Sequence, residues 1–221
     1  MSNDEVKMEA TRDGFGRGLV EAGKNNEQVV ALCADLTEST RIQWFAEEFP
    51  DRFVEIGIGE QNLATVGAGM AAMGKIPFVS SYAAFSPGRN WEQIKTTIAL
   101  NDMPVIIVGA HAGLYTGPDG ATHQMFEDLA IMRAMPNMIV IAPGDSFEAE
   151  QVTKALAENP RPAYLQLARE NTPLFLEGSG DFDLTRAKVL SPGEDLTVVS
   201  TGPMSYQVTL VVDELYPDQE N

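Results

Sequence analysis

A carboxylate stands directly behind two glycines in the run Phe53-Val54-Glu55-Ile56-Gly57-Ile58-Gly59-Glu60. The apolar stretch reads as a short strand that ends at those glycines. The residues after it, up to Gly74, are rich in Gly and Ala and read as a helix able to lie flat against a neighbour. Glu60 thus sits where a strand hands over to a helix, the place where open α/β sheets put their ligand chemistry. An acid there is either a helix-start residue or a functional group. The only two histidines, His111 and His123, stand at the entry and exit of one glycine-rich loop, which points toward a shared site as readily as toward structure. Tyr82 and Phe85, three apart beside a strand end, serve either as core or as the wall of a pocket. Arg12 lies in the first turn of a helix, where a cation opposes the helix dipole, a hint that it has another use.

The elements that must position these groups alternate. Helix-like patterns cover residues 9–24, 41–49 (stopped by Pro50), 61–74, 90–100, 125–133 and 147–158. Strand-like runs lie at 29–34, 53–58, 76–80, 104–110, 138–142 and 163–167. Such alternation predicts an α/β fold, a parallel sheet with helices on both faces and its strand C-ends along one edge. That edge gathers Asp35 and Ser39, Glu60, Tyr82 and Phe85, the loop from His111 to His123 with Asp119, and Arg169. After residue 172 the character changes. Residues 174–189 read as a linker, 196–202 as a new strand and 205–216 as a new helix. One strand–helix unit cannot bury its own faces, so this start of a second α/β domain is expected to be truncated or to pack on the first.

The chain has 221 residues, enough for one sizeable domain or a domain and part of another. Its formal charge of −17 argues against nucleic acid and anionic membranes as general partners. The single cysteine, Cys33, excludes an internal disulfide and a cysteine-based zinc site within one chain, and its apolar surroundings predict a buried thiol. No apolar run approaches the roughly 18 residues of a membrane span, and the start lacks the regions of a signal peptide; the cytoplasm is the expected location. Gly117-Pro118-Asp119-Gly120 has no lysine behind it and is no phosphate-binding P-loop. Gly57-Ile58-Gly59 lacks the third glycine of the dinucleotide fingerprint, and no Gly-x-Ser-x-Gly elbow occurs. No third ligand joins the histidines at metal spacing.

Three segments together resemble the pyrimidine-binding domain of transketolase: Ala34-Asp35-Leu36-Thr37-Glu38-Ser39, Glu55 to Asn62, and Gly117-Pro118-Asp119-Gly120-Ala121-Thr122-His123-Gln124. The resemblance runs from about residue 8 to 173, in the family's order, and Asp-Gly-x-Thr-His-Gln is its most specific element. Residues 190–216 look like the opening of the family's third domain, so the expected division is 8–173, a linker at 174–189, and a beginning at 190–221 that looks shortened. The Gly-Asp-Gly motif of the family's diphosphate-binding domain is missing. The chain therefore resembles the C-terminal-half subunit of a split enzyme.

The resemblance implies the thiamine diphosphate-binding fold and ketol transfer between sugar phosphates. It implies a thiamine diphosphate cofactor with Mg2+ or Ca2+ held mainly by an N-terminal-half partner subunit, and a homodimer or heterotetramer. No metal is expected on this chain itself. By the same resemblance Glu60 hydrogen-bonds N1′ of the aminopyrimidine from an apolar, Gly/Ala-lined surround. Tyr82 and Phe85 stack on the pyrimidine, and Asp35 lies near the cofactor or the subunit interface. His111 and His123 join Glu60 as catalytic residues, and Asp119 reads a hydroxyl of the donor ketose. Arg12, Ser39 and Arg169 hold the sugar phosphate. Phe85-Ser86-Pro87-Gly88-Arg89 departs from the usual transketolase wording. It leaves open a deoxyxylulose-phosphate synthase or an oxo-acid dehydrogenase β subunit, and a non-catalytic assembly domain is the third alternative.

Overall fold

The computed structural model describes residues 6–114, 116–179 and 182–216; expectations that touch residues 1–5, Tyr115, Gly180, Asp181 and 217–221 lie outside the described residues. The centre is a six-stranded sheet of β2 (Val29–Cys33), β3 (Phe53–Glu55), β4 (Ile76–Tyr82), β5 (Ile106–Ala110), β6 (Ile139–Ile141) and β7 (Ala163–Gln166). Its spatial order is β3-β2-β4-β5-β7-β6 and every pairing is parallel, with registers such as Val29↔Ile76, Phe78↔Ile106 and Ile106↔Ala163. The predicted parallel α/β sheet is the observed one.

Alternate residues of each strand feed two cores, as the period of two requires. Val29, Ala31, Cys33, Phe78, Ile106 and Val108 face α1 (Thr11–Asn25), α2 (Gln43–Glu48) and α6 (Ser146–Glu158). Val30, Leu32, Val79 and Ile107 face α3 (Glu60–Ala72), α4 (Trp91–Gln93) with the π-type turn Ile94–Ala99 behind it, and α5 (Asp128–Arg133). Cys33 is fully buried, as its apolar run predicts.

Small residues set the closest approaches. A Cβ built on Gly67 of α3 would come within 2.7 Å of Val79 Cγ1 on the sheet, and Ala64, Ala68 and Ala71 are buried beside it. The opposite face of α3 leaves Gln61, Thr65, Val66, Gly69 and Met73 exposed. Where α1 crosses α6, a Cβ on Gly14 would run into the carbonyl of Ser146, so these two helices meet backbone to backbone.

Three expectations are corrected. The helix expected over 9–24 begins at Thr11, because Met8–Ala10 form β1, which pairs antiparallel with β8 (Asn171–Pro173) in a separate two-stranded sheet. A strand needs its partner to exist, and that partner lies more than 160 residues away in sequence. The strand expected over 196–202 does not form: no strand pairs with it among the described residues, and an unpaired strand leaves its backbone groups unsatisfied. The helix expected over 125–133 shortens to α5, since Met125 instead bridges Gly113 across the glycine-rich loop.

Past β8 the chain is tied to the sheet domain at Phe175 and Leu176 and again at the start of the helix that follows. Asp145 caps α6 by accepting from Glu148 N, and its other oxygen accepts from the backbone of Phe175 and Leu176 at 2.9 and 2.8 Å. Phe175 packs on Tyr206 of α7 (Met204–Leu215), and Gly202 N donates to Ala142 O. Without its expected strand, the start of α7 thus packs on the sheet domain, one of the two outcomes expected of this last segment.

Gly14→Ala is expected to cost about 2–3 kcal/mol by overpacking the α1–α6 crossing. Gly69→Ala, with open space around its Cβ, should add roughly 0.5–1 kcal/mol by helix propensity. Urea unfolding of the two variants checks both; an unchanged midpoint for Gly14→Ala would mean the crossing is looser than described.

Candidate functional site

Glu60 is the first residue of α3 and only 2% exposed. The turn before it uses Gly57 at φ 73°, a conformation that suits glycine. The positive end of the helix favours the carboxylate, yet a buried carboxylate without a partner would still cost several kcal/mol. Arg89 supplies the partner, donating from Nη1 to Glu60 Oε2 at 2.6 Å. Arg89 is 48% exposed and its guanidinium carbon lies 4.7 Å over the Phe85 ring. The apolar surround implied for Glu60 is therefore corrected: a guanidinium from the turn after β4 closes it. Asn90, next in sequence, donates to the Glu60 carbonyl at 2.7 Å and fixes that turn against the start of α3.

From Phe85 a series of rings continues along the sheet edge. Phe85 lies 6.0 Å from Tyr82 and 5.2 Å from His123, and Tyr82 stacks on His111 at 4.1 Å. His111 ends β5 in a left-handed conformation, φ 57°, and is buried. Arg12 Nη1 donates to the carbonyl of Ser39 at 2.9 Å and approaches His111 Nε2 at 3.4 Å. A guanidinium cannot accept a hydrogen bond, so this contact makes Nε2 the acceptor and leaves the proton on Nδ1. That Nδ1 is buried without a partner among the described residues. Burial, then the charges of Arg12, Arg169 and Arg41, push the His111 pKa down to about 3. His111 is thus a neutral donor at physiological pH.

Arg169 donates from Nη1 to the carbonyl of Thr116 at 2.5 Å and pairs with Asp119 at 3.7 Å. The β1–β8 pairing explains why Arg12, at the other end of the domain in sequence, comes to this edge. Its neighbour Thr11 accepts from Ala168 N at 2.8 Å through Oγ1, which brackets Arg12 and Arg169 around one short contact. Burial holds Arg12 below the usual guanidinium range, with Arg41 adding repulsion.

Nine of the residues singled out in the sequence stand at this edge: Glu60, Tyr82, Phe85, His111, Asp119, His123, Arg12, Arg169 and, through its backbone carbonyl, Ser39. Asp35 is the exception. It is exposed at φ 57°, and among the described residues no side-chain contact joins it to the others; its backbone N–H donates to Glu55 Oε1 at 2.8 Å. Sequence reasoning missed three participants. Glu55 accepts from Asp35 N, Thr37 Oγ1 and Gly57 N, tying the loop after β2 to the turn before Glu60. Its place two residues before Gly57 was the available signal. Arg41, held by Asp13 at 2.5 Å, adds to the positive potential at His111, and Arg89 is the counter-ion of Glu60. Among the described residues no group of three or more His, Cys, Asp or Glu is placed to hold a metal ion, and no helix is long and apolar enough to cross a membrane.

Residues 7–174 match the transketolase pyrimidine binding domain. A Methanocaldococcus jannaschii protein described as a transketolase C-terminal section is 46% identical over 193 residues, covering 86% of this chain and 61% of that relative. The chain thus spans about six-tenths of that protein's length. A 1-deoxy-D-xylulose-5-phosphate synthase of Synechococcus is 33% identical over 91% of this chain and 31% of its own. Among solved structures, a split-gene transketolase, an inactive β4 tetramer, superposes with a TM-score of 0.84 at 39% identity over 95% of this chain and 67% of that one.

The folded chain keeps His111 neutral down to about pH 3, whereas an unfolded chain protonates it near 6.5. The unfolded state therefore binds the extra proton between those values. The stability that His111 contributes is fully present above about pH 6.5 and is lost as pH falls toward 3. Unfolding of the wild type and of His111→Asn across pH 7 to 4 should show the wild type losing stability more steeply, by up to about 1.4 kcal/mol per pH unit. Parallel curves would contradict a neutral, buried His111.

Proposed function

Because the chain belongs to the transketolase family through its pyrimidine binding domain, we propose that it is the pyrimidine-side half of a two-polypeptide transketolase. It moves a two-carbon ketol unit from a ketose phosphate to an aldose phosphate. The observation that carries this reading is the series of contacts from Glu60 through Arg89, Phe85, Tyr82 and His111 to Arg12. An acid, an aromatic pair, a buried histidine and a guanidinium thus follow one another along this edge, with His123 edge-on to both aromatics.

The pyrimidine end of thiamine diphosphate fits this edge. Glu60 is a buried carboxylate at a helix start; the half-buried Phe85 ring lies near it across Arg89, and the buried Tyr82 stacks on Phe85 and on His111. Glu60 would share a proton with ring N1′, and the two aromatics would hold the ring by area and geometry. When bound, the cofactor supplies the electron sink for breaking and making the carbon–carbon bond. This chain's residues do the rest. His111 and His123 are the groups assigned to the substrate's hydroxyls and their proton transfers. Asp119, held by Arg169, reads a donor hydroxyl. The forks of Arg12 and Arg169 suit a phosphate, with Ser39 beside Arg12. In a chain of net charge −17, that local cluster counters a field that opposes anionic substrates. Asp35 lies at the rim, toward the cofactor or the partner.

The diphosphate and its divalent metal, Mg2+ or Ca2+, fall to an N-terminal-half partner in this reading. The buried small residues of α3 pack on its own sheet, so its exposed face, with Val66, Gly69 and Met73, is the surface proposed for pairing with that partner or with a second copy. The domain division 8–173, 174–189 and 190–221 is proposed with it, and so is a cytoplasmic location. A second reading, a deoxyxylulose-phosphate synthase half, is favoured by the Synechococcus relative and by the unusual Ser86–Arg89 turn.

Co-expression with a diphosphate-binding half, followed by assay of ketol transfer from xylulose 5-phosphate, tests the proposal. Activity is expected, with kcat reduced by roughly 10²-fold or more in Glu60→Gln. A pair that binds thiamine diphosphate but transfers no ketol unit would overturn it; release of CO2 from pyruvate by that pair would favour the synthase reading.

A further inference from the structure

Arg89 does two things at once. Its guanidinium hydrogen-bonds Glu60 Oε2 at 2.6 Å, and its central carbon stands 4.7 Å over the Phe85 ring centroid. Those are the two contacts that the aminopyrimidine of the cofactor would make here: a planar nitrogen base, hydrogen-bonded to the acid and stacked on the aromatic wall. A guanidinium is itself a planar N–C–N group with in-plane N–H donors that match a carboxylate, and it gains from lying over an aromatic face.

We propose that Arg89 is an internal stand-in for the aminopyrimidine, holding the Glu60 carboxylate and the Phe85 ring face until the cofactor's pyrimidine takes both. The inference rests on the reading of Glu60 as the acid that meets the pyrimidine. The two partners differ in freedom. Glu60 is 2% exposed, at the start of a helix packed on the sheet, whereas Arg89 is 48% exposed. The main chain beside Arg89 is pinned, because Asn90 bonds both the Glu60 carbonyl and Ser86 Oγ. The displacement is therefore a side-chain swing into solvent that leaves the acid in place. A buried carboxylate is served at every stage: by the guanidinium first, and by the pyrimidine afterwards. Such an internal competitor lowers the apparent affinity for the pyrimidine by the fraction of molecules in which the seat is open. Removing it must raise that affinity.

The probe is thiamine, which carries the aminopyrimidine without needing a diphosphate site, titrated into the full chain and followed by ligand-detected NMR. Arg89→Ala should bind thiamine about three- to tenfold more tightly than the wild type, and Glu60→Gln should bind it more weakly. The Arg89 Nε–H resonance of the wild type, assigned by its loss in Arg89→Ala or by selective arginine labelling, should shift toward that of a free arginine as thiamine is added. Arg89→Ala that binds no thiamine, or binds it no better than the wild type, overturns the stand-in. If that variant does not fold, the wild-type resonance decides: a shift supports displacement, and an unmoved signal overturns it. Binding that depends on Glu60 without a gain in Arg89→Ala sinks the stand-in alone. Binding equal in wild type and Glu60→Gln sinks the assignment of Glu60 as well.

Discussion

The carboxylate of Glu60 is buried at the N-terminus of a helix that packs flat on a parallel sheet, and the surrounding structure answers to that constraint. Burial of a charge is tolerable only when dipoles and counter-charges meet it. The helix start supplies one and Arg89 the other. The flatness comes from Gly67, Ala64, Ala68 and Ala71, which let α3 approach Val79 closely enough to bury its first residue. Asn90 pins the turn 83–90 to the start of α3, and the Arg89 side chain reaches from that turn to the Glu60 carboxylate. Backbone packing and the acid's position are thus one arrangement.

A second constraint acts at the far end of the same edge. His111 is boxed between Tyr82 and the cations Arg12, Arg41 and Arg169. In a chain so acidic overall, this is a local reversal of sign, and it is built from residues far apart in sequence. Desolvation and three guanidinium groups all disfavour a further positive charge, so the imidazole stays neutral. A neutral ring keeps one N–H to give, and the positive charge of this edge stays on the guanidinium groups. Burial and the three guanidinium charges together produce this division.

The short β1–β8 ribbon has consequences larger than its three residues a side. It closes the ends of the pyrimidine binding domain on each other and, with the Thr11–Ala168 contact, sets Arg12 beside the region of Arg169. Asp145 performs a parallel service for the segment that follows, holding Phe175 and Leu176 by their backbone so that α7 packs against the domain. In both cases a few hydrogen bonds at the margin decide where a long element lies.

The alternating apolar runs of this chain determined by themselves the parallel sheet, the two-sided cover and the strand ends at which Glu60, His111 and Arg169 stand. These features follow from local periodicity, which each segment carries on its own. The Gly-Ala composition of residues 61–74 likewise determined a helix that packs close. Only the tertiary structure decided that Met8–Ala10 is a strand, that residues 196–202 are not, that Asp35 stays apart from the other site residues, and that Glu60 is held by Arg89. A strand exists through its partner's hydrogen bonds, and a counter-ion through proximity in space. Neither is encoded in the spacing of nearby residues, so both had to await the folded chain.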